Sequence, residues 1–233
     1  MKPRISLYQP LGGAFALVAA ALFVVALIVL GQAIGWPGIL REPASVVLPR
    51  IEAHRTAMLL GYAAYLLSSL ALIPVAFALR DRLVQAGCDA TASTAVAFFG
   101  GAGAILKTLG IVRWLSVMPL LSKQYAAATS DEVRSAIELS YLTINGYAGA
   151  VGELLGVQLV SGIWIAGSAA LMIRGGAKWV GSLGLVTGVG FLLTTVRVFD
   201  PAFAALQAFA NPLGLLWFIV LGIVMLRGRK PLA

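Results

Sequence analysis

Long apolar stretches alternate with short polar segments along the chain, and this pattern predicts six membrane-spanning helices. At 1.5 Å per residue, a helix needs about 20 apolar residues to cross about 30 Å of hydrocarbon. The stretches that approach or exceed this length are residues 11–34, 57–79, 95–118, 147–173, 179–199 and 212–226. We number them spans one to six. The sequence therefore predicts an all-α, polytopic membrane helix bundle that occupies residues 1–233 as a single domain.

The composition agrees with a membrane protein. Of the 233 residues, 60% are hydrophobic and only 11% are charged, whereas soluble domains carry about 45–50% apolar and about 25% charged residues. The formal net charge of +8 could indicate a nucleic-acid-binding protein. Most Lys and Arg residues, however, lie at the ends of apolar stretches, where they act as topology signals. We expect the lipid bilayer, and not nucleic acid, to be the partner.

The distribution of Lys and Arg predicts how the chain is threaded. The amino-terminal segment, the loops after spans two and four, and the carboxyl-terminal tail together carry nine of them. The loops after spans one, three and five carry five. The positive-inside rule then places both termini in the cytoplasm.

The first span could instead be a secretory signal. Lys2 and Arg4 precede it, and residues 31–33 (Gly-Gln-Ala) resemble a small-x-small cleavage site. Its apolar core exceeds the usual length of about 7–15 residues. We therefore expect an uncleaved span.

The two longer connections, residues 35–56 and 119–146, are predicted to face outward. In the second, Thr129 and Glu132 have the spacing of a capping box, which predicts an amphipathic helix over residues 131–143. Asn145-Gly146 predicts a break before span four. This helix could lie at the membrane interface or cover a site that opens on the outer face.

The 26 glycines are concentrated in spans three to five, where they recur at helical spacing. Small residues three and four apart allow helix backbones to approach closely in a membrane. The stripes are Gly100, Gly103 and Gly110 in span three; Gly149, Gly152 and Gly156 in span four; and Gly181, Gly184 and Gly188 in span five. We expect these three spans to form the tight core of the bundle.

Four charged residues interrupt the same spans. At 1.5 Å per residue, Arg113, Glu153 and Arg197 each lie about 10–12 Å from the middle of their span, towards the outer face. Lys107 lies close to the midplane. A charged side chain there costs about 2.5–3.5 kcal/mol even on lenient insertion scales, so such residues usually face a partner or a cavity.

Two interpretations of this charge cluster remain open. In the structural one, the chain is a non-transport structural or sensory membrane protein: Arg113 or Arg197 pairs with Glu153 and stabilises the bundle, while the other arginine extends to the interface or meets Asp200. In the functional one, a polar cavity between spans three, four and five binds or transports a small polar or anionic solute or a lipid headgroup. The surplus of positive charge favours the second. The secondary candidates for its lining are Trp114, Asn145, Gln158 and Asp200.

Known catalytic and metal-binding patterns are absent from the sequence. With one cysteine, Cys88, and one histidine, His54, the chain has no Cys/His cluster for zinc or haem and no internal disulfide. It also lacks a G-x-S-x-G elbow, an H-E-x-x-H helix and a phosphate-binding loop. We expect no metal, no cofactor and no catalytic residue. A membrane enzyme that uses Glu153 as its acid or base is a less favoured alternative.

Two stretches of the sequence resemble a known family. They are LGIVRWLSVMPLLSKQYA and NGYAGAVGELLGVQLVSGIWI, and together with the six-span layout they are similar to a family of bacterial multi-pass membrane proteins grouped as domain of unknown function 4386. The positions that carry the resemblance are Arg113, Trp114, Pro119, Asn145, Gly149 and Glu153. The resemblance implies an all-helical fold in the bacterial inner membrane and no particular activity. A homo-oligomer is compatible with it.

Overall fold

A computed structural model describes residues 8–227 of the chain, and within this range the protein is helical without a β-strand. One helix, α1, spans Tyr8–Ile34. The remaining α-helices are α2 Ala44–Ala53, α3 Arg55–Leu70, α4 Leu72–Gln85, α5 Ala90–Leu115, α6 Val117–Ala127, α7 Asp131–Gly149, α8 Ser161–Arg174, α9 Lys178–Thr194 and α10 Gln207–Arg227. A π-helical segment, Ala150–Val160, joins α7 to α8 and is called the π-segment.

Six helical stretches are long and apolar enough to cross a membrane, as the sequence predicts. Their bounds are Pro10–Ile34, Arg55–Gln85, Ala90–Ala127, Asp131–Arg174, Lys178–Val198 and Pro201–Arg227. The prediction of a six-span all-α bundle is therefore confirmed. Several stretches extend beyond the apolar runs that predict them, because polar turns of helix continue past the hydrocarbon-length core.

Span four differs most from its prediction. The predicted break at Asn145-Gly146 is wrong: α7 continues through Gly149 and passes directly into the π-segment. The Asn145 side chain makes contacts with neighbouring elements instead of ending the helix. The helix begins at Asp131, as predicted, but its N-cap is Ser130 instead of Thr129, because the Ser130 hydroxyl accepts from the Val133 N–H at 3.3 Å. The predicted amphipathic helix is thus the first part of a longer one.

The connection between spans one and two is more ordered than its sequence suggests. It contains a 3-10 turn, Gly38–Arg41, and the helix α2. This helix packs against α6, and the Ser122 hydroxyl donates to the Glu52 carboxylate at 2.8 Å across that contact. We call this end of the bundle the α2 end. It is the end that the charge distribution predicts to face outward.

The helices are arranged as a ring in which neighbouring spans pack on one another. α1 packs against α3, α4 and α10; α5 packs against α3, α4, α8 and the π-segment; and α9 packs against α8 and α10. The first and last spans meet at two glycines: a Cβ on Gly13 would lie 2.8 Å from the Gly222 carbonyl oxygen. Only a residue without a side chain permits that approach.

Two clusters of buried side chains fill the interior. One contains Trp164 and Trp217, whose ring centres are 6.2 Å apart in an edge-to-face arrangement. The other lies towards the α2 end and contains Tyr62 stacked on Trp114, with ring centres 4.9 Å apart. The predicted cavity residue Trp114 is therefore a packing residue of the second cluster.

Candidate ligand-binding site

The contact between α5 and the π-segment fixes the relative depth of the charged residues. A Cβ on Gly152 would lie 2.8 Å from the Gly110 Cα, and a Cβ on Gly156 would lie 2.6 Å from the backbone nitrogen of Lys107. The two backbones therefore touch along a seam that excludes side chains. Since Gly156 lies beside Lys107, Glu153 lies about one turn closer to the α2 end. The π-segment belongs to a helix type that is rare and often found at functional sites.

Glu153 is the centre of a polar network that draws on four parts of the chain. Its Oε1 accepts from Arg197 Nη1 at 3.0 Å and from Gln207 Nε2 at 2.6 Å. Arg41 Nη2 donates to Gln207 Oε1 at 2.9 Å and lies 4.0 Å from the same carboxylate oxygen. We call Arg41, Glu153, Arg197 and Gln207 the Glu153 network. It brings together two of the predicted site residues, Glu153 and Arg197.

The Glu153 network carries a surplus of positive charge and is open to its surroundings. It contains two guanidinium groups and one carboxylate. The exposed fractions of the side chains are 65% for Arg41, 36% for Glu153 and 20% for Arg197. Each guanidinium has five N–H donors, yet within residues 8–227 each donates a hydrogen bond from one nitrogen only. The network can therefore accept a further anionic group.

Sequence reasoning missed two members of this network and misplaced a third candidate. Arg41 enters the sequence argument only as a loop charge, and Gln207 follows an apolar stretch without a charge to mark it. Asp200 does not meet Arg197 in the structure. Its Oδ1 accepts from the Ala202 N–H at 3.0 Å and so begins the 3-10 helix Pro201–Leu206.

Arg113 has partners other than the predicted Glu153. Its Nε donates to Asn145 Oδ1 at 3.2 Å, and its Nη1 donates to the Gly110 carbonyl at 2.6 Å. Asn145 Nδ2 in turn donates to the Leu40 carbonyl at 3.2 Å. Arg113 thus connects α5, α7 and the 3-10 turn after α1, and its contacts are those of a structural bridge.

Lys107 lies beside two aromatic rings, which in turn contact a third. Its Nζ is 4.5 Å from the ring centre of Tyr65 and 5.6 Å from that of Phe23. Trp36 closes the group, with its ring centre 5.6 Å from that of Tyr65. All four side chains are partly exposed. We call Phe23, Trp36, Tyr65 and Lys107 the aromatic recess.

The amine of Lys107 has no counter-ion in the described part of the chain. Across residues 8–227 it forms neither a hydrogen bond nor an ion pair, and its contacts to Tyr65 and Phe23 are of the cation–π kind. A desolvated cation–π contact contributes about 2 kcal/mol, against about 2.5–3.5 kcal/mol for a lysine at the middle of a span. The rings therefore offset much of the cost but supply no negative charge.

Tyr65 connects the aromatic recess with the charged groups nearer the α2 end. It lies about one turn along α3 from Tyr62, whose ring stacks on Trp114, the neighbour of Arg113 in α5. The recess and the Glu153 network are also joined by the π-segment, because Gly156 lies beside Lys107 and Glu153 lies about one turn away. The residues of this polar region come from spans one to five, from the segment after span one (Trp36 and Arg41) and from Gln207 at the start of α10, so it is wider than the predicted cavity between spans three, four and five.

Comparison with family models gives the chain its relationship to other proteins. The model of the domain of unknown function DUF4386 matches residues 11–227. The chain belongs to the DUF4386 family. The resemblance predicted from the two sequence stretches is therefore confirmed. Searches of curated proteins and of solved structures gave no match.

In this DUF4386 protein, most of the positions that carry the resemblance lie along one line from α5 to α7 and the π-segment. Arg113 contacts Asn145, and a Cβ on Gly149 would lie 3.5 Å from Arg113 Nη2. Glu153 follows Gly149 by four residues, about one helical turn further. The stretch that identifies the family thus also builds the wall of the polar region.

The last secondary candidate, Gln158, is placed away from these contacts. Only 1% of it is exposed, and neither Oε1 nor Nε2 has a hydrogen-bond partner within residues 8–227. An unpaired buried amide costs about 1–3 kcal/mol. Gln158 is therefore a buried polar side chain of the π-segment without a partner among the described residues.

Proposed function

We propose that this DUF4386 membrane protein binds a small anionic solute from the outer side of the bilayer, with Lys107 as the cation that holds it. The observation that supports this most directly is the unpaired amine of Lys107 at the depth of the membrane interior. A cation in that position is stabilised by an anion more than by any uncharged group.

The aromatic recess suits such a solute because it offers a cation beside aromatic faces. Phe23, Trp36 and Tyr65 are partly exposed together with Lys107. A carboxylate or phosphate would bind to the amine, while the apolar or planar part of the solute would contact the rings.

The Glu153 network is the outer boundary of this site in the proposal. Arg41 is the most exposed of its charged groups, so it attracts an anion first. Exchange of the Glu153–Arg197 pair for contacts to the solute would then open a path towards Lys107. Transport would result from repeated breaking and re-forming of the Glu153–Arg197 pair as the solute passes.

A structural role is the second candidate, and one observation favours it. The 3.0 Å contact between Glu153 and Arg197 joins the π-segment to the end of span five. In that case the network stabilises the bundle, and removal of Lys107 changes no binding.

Thermal unfolding of the purified protein in detergent tests the proposal. The probes are acetate, benzoate and inorganic phosphate, each at 10 mM and constant ionic strength. A ligand present at about ten times its Kd stabilises the folded state by about 1.4 kcal/mol, which raises Tm by a few degrees. We expect at least one probe to do so, and Lys107→Met to remove the shift. The matched control is Lys123→Met, which removes an exposed lysine of α6. A shift that persists in Lys107→Met contradicts the proposed site.

Accessibility of position 107 tests the recess without knowledge of the solute. We expect Lys107→Cys, in a background with Cys88→Ala, to react with a negatively charged, membrane-impermeant thiol reagent added from outside. Lys123→Cys on the exposed face of α6 is the positive control. Absence of reaction at position 107, with reaction at position 123, would show a closed interior and exclude the recess.

A further inference from the structure

We infer that a groove beside α9 and α10 binds one acyl chain of an anionic phospholipid, whose headgroup is held by Arg197 and Arg41. This site lies outside the aromatic recess and would be occupied by lipid whether or not a solute binds at Lys107. The inference shares Arg41 and Arg197 with the outer boundary of the proposed solute site but needs neither the aromatic recess nor a solute at Lys107.

The groove is a cavity of about 400 Å³ with apolar walls. Gly190 and Leu193 contribute to the α9 side, and Leu206, Phe209 and Ala210 contribute to the other side. Its space exists because small residues face each other: a Cβ on Gly190 would have Ala210 as its nearest neighbour, at 3.5 Å. The walls expose large side chains, with 70% of Phe209 accessible. In a bilayer such a surface is covered by hydrocarbon.

The groove crosses the middle of span five. Its lining extends along α9 from Leu185 to Leu193, which corresponds to about 12 Å of helix at 1.5 Å per residue. Arg197 follows Leu193 by four residues, which adds roughly 6–8 Å of rise. An acyl chain whose headgroup lies at Arg197 would therefore run along the groove to the middle of the bilayer and a short way beyond it.

A positive charge lies at one end of the groove. Arg197 lies in the 3-10 helix Thr195–Val198 that follows α9, and it shares Glu153 Oε1 with Gln207, which directly follows Leu206 of the groove lining. Its Nη1 is bound to Glu153, while its other nitrogens form no hydrogen bond within residues 8–227. Arg41 joins the same network through Gln207 and is 65% exposed on its side chain. A phosphate diester pairs well with such guanidinium groups.

This arrangement of charge and apolar surface selects lipid over other occupants. A free phosphate ion would use the arginines and leave the groove empty. An anionic phospholipid satisfies both parts at once, because a single molecule carries a negative charge and an apolar chain.

Two substitutions separate the contribution of the lipid's acyl chain from that of its headgroup. Gly190→Leu fills the groove, and the 3.5 Å separation from Ala210 is an ordinary van der Waals distance, so the helix backbone can remain in place. Arg197→Gln removes the charge and keeps a polar side chain. The matched control is Gly146→Leu, because a side chain at Gly146 meets no atom within 4 Å.

The experiment is native mass spectrometry of the full chain in detergent with added phosphatidylglycerol and phosphatidylcholine of identical acyl chains. We expect the unmodified protein and Gly146→Leu to retain at least fivefold more phosphatidylglycerol than phosphatidylcholine. Gly190→Leu should lower retention of phosphatidylglycerol at least fivefold. Arg197→Gln should retain the two lipids equally. Because no solute is present, failure of the solute proposal at Lys107 leaves these outcomes unaffected.

Three results would overturn the inference: equal retention of the two lipids by the unmodified protein, unchanged retention by Gly190→Leu, or displacement of phosphatidylglycerol by 10 mM inorganic phosphate. The last would assign the arginines to a free anion. A measurement on the unmodified chain covers the case in which Gly190→Leu does not fold. Phosphatidylglycerol with a photoreactive group on its acyl chain should label the peptides that contain Leu193 and Phe209. Labelling confined to other spans contradicts the assignment.

Discussion

Lys107 and Glu153 are neighbouring charged residues with opposite surroundings. They lie on facing spans about one helical turn apart, held by the seam in which Gly156 touches the backbone of Lys107. Glu153 has hydrogen bonds from Arg197 and Gln207. Among the described residues, Lys107 has polar contacts with aromatic rings only. The same fold thus satisfies one charge within the chain and leaves the other to its environment.

This difference allows the effect of a charged residue on stability to be separated from its effect on binding. Removal of a paired charge from a membrane protein leaves its partners without their contacts, so it should lower the free energy of unfolding. An unpaired charge has no such contacts to lose, so its removal should change binding more than stability. The three substitutions that follow test this comparison, beginning with the seam on which it depends.

The largest effect is expected from Gly156→Ala. The added Cβ would lie 2.6 Å from the backbone nitrogen of Lys107, so α5 and the π-segment must separate. Overpacking of this kind costs about 1–3 kcal/mol, and we expect the upper part of that range because the obstacle is backbone. Thermal unfolding in detergent, followed by helical circular dichroism, measures it.

Gly146→Ala is the matched control for this substitution, since a Cβ there meets no atom within 4 Å. In an open helical position alanine is more stable than glycine by roughly 0.5–1 kcal/mol. The Tm of Gly146→Ala should therefore be equal to or above that of the unmodified protein. Equal losses at the two positions would indicate that the seam is not close-packed.

A smaller effect is expected from Glu153→Gln. The substitution keeps an acceptor oxygen for Gln207 and removes the charge that attracts Arg197. Since both side chains are partly exposed, we expect a loss of about 1–2 kcal/mol. A double-mutant cycle with Arg197→Gln isolates the pair. Additive losses in that cycle would show that Glu153 and Arg197 are not coupled, and the contrast with Lys107 would then fail.

The smallest change in stability is expected from Lys107→Met. Methionine fills a similar volume and can contact the rings of Phe23 and Tyr65 through its sulfur. Loss of the cation–π contacts destabilises the protein, whereas removal of the unpaired charge stabilises it. We therefore expect the free energy of unfolding, measured from Tm, to change by less than about 1 kcal/mol. A loss equal to that of Glu153→Gln would mean that Lys107 has a structural partner, and the comparison would be wrong.

Much of the architecture is predictable from the sequence because each span depends on the composition of one continuous stretch. A run of about 20 apolar residues suffices to predict a span, and the glycine stripes predict the α5 seam. The Glu153–Arg197 contact agrees with the prediction that these two residues lie at the same depth in the membrane. That prediction needs only the rise per residue.

The rest of the candidate site depends on directions that sequence spacing does not give. The rings around Lys107 come from Phe23, Trp36 and Tyr65, which lie in two other spans and in the segment after span one. Their proximity follows from the order in which the helices are arranged around the bundle. Depth alone also could not decide between Asn145 and Glu153 as the partner of Arg113. The π-segment adds a further rotation that an ideal helix of 3.6 residues per turn does not contain.

The contact between the first and last spans has a consequence for biosynthesis. Because α1 packs along α10, with Gly13 against Gly222, the face of the first helix that meets α10 lacks its partner while the intermediate spans are being made. During that interval another surface must cover this face, either lipid or a factor of the insertion machinery. The bundle can close only after α10 has been inserted, so the contact between α1 and α10 forms later than the contacts among the spans between them.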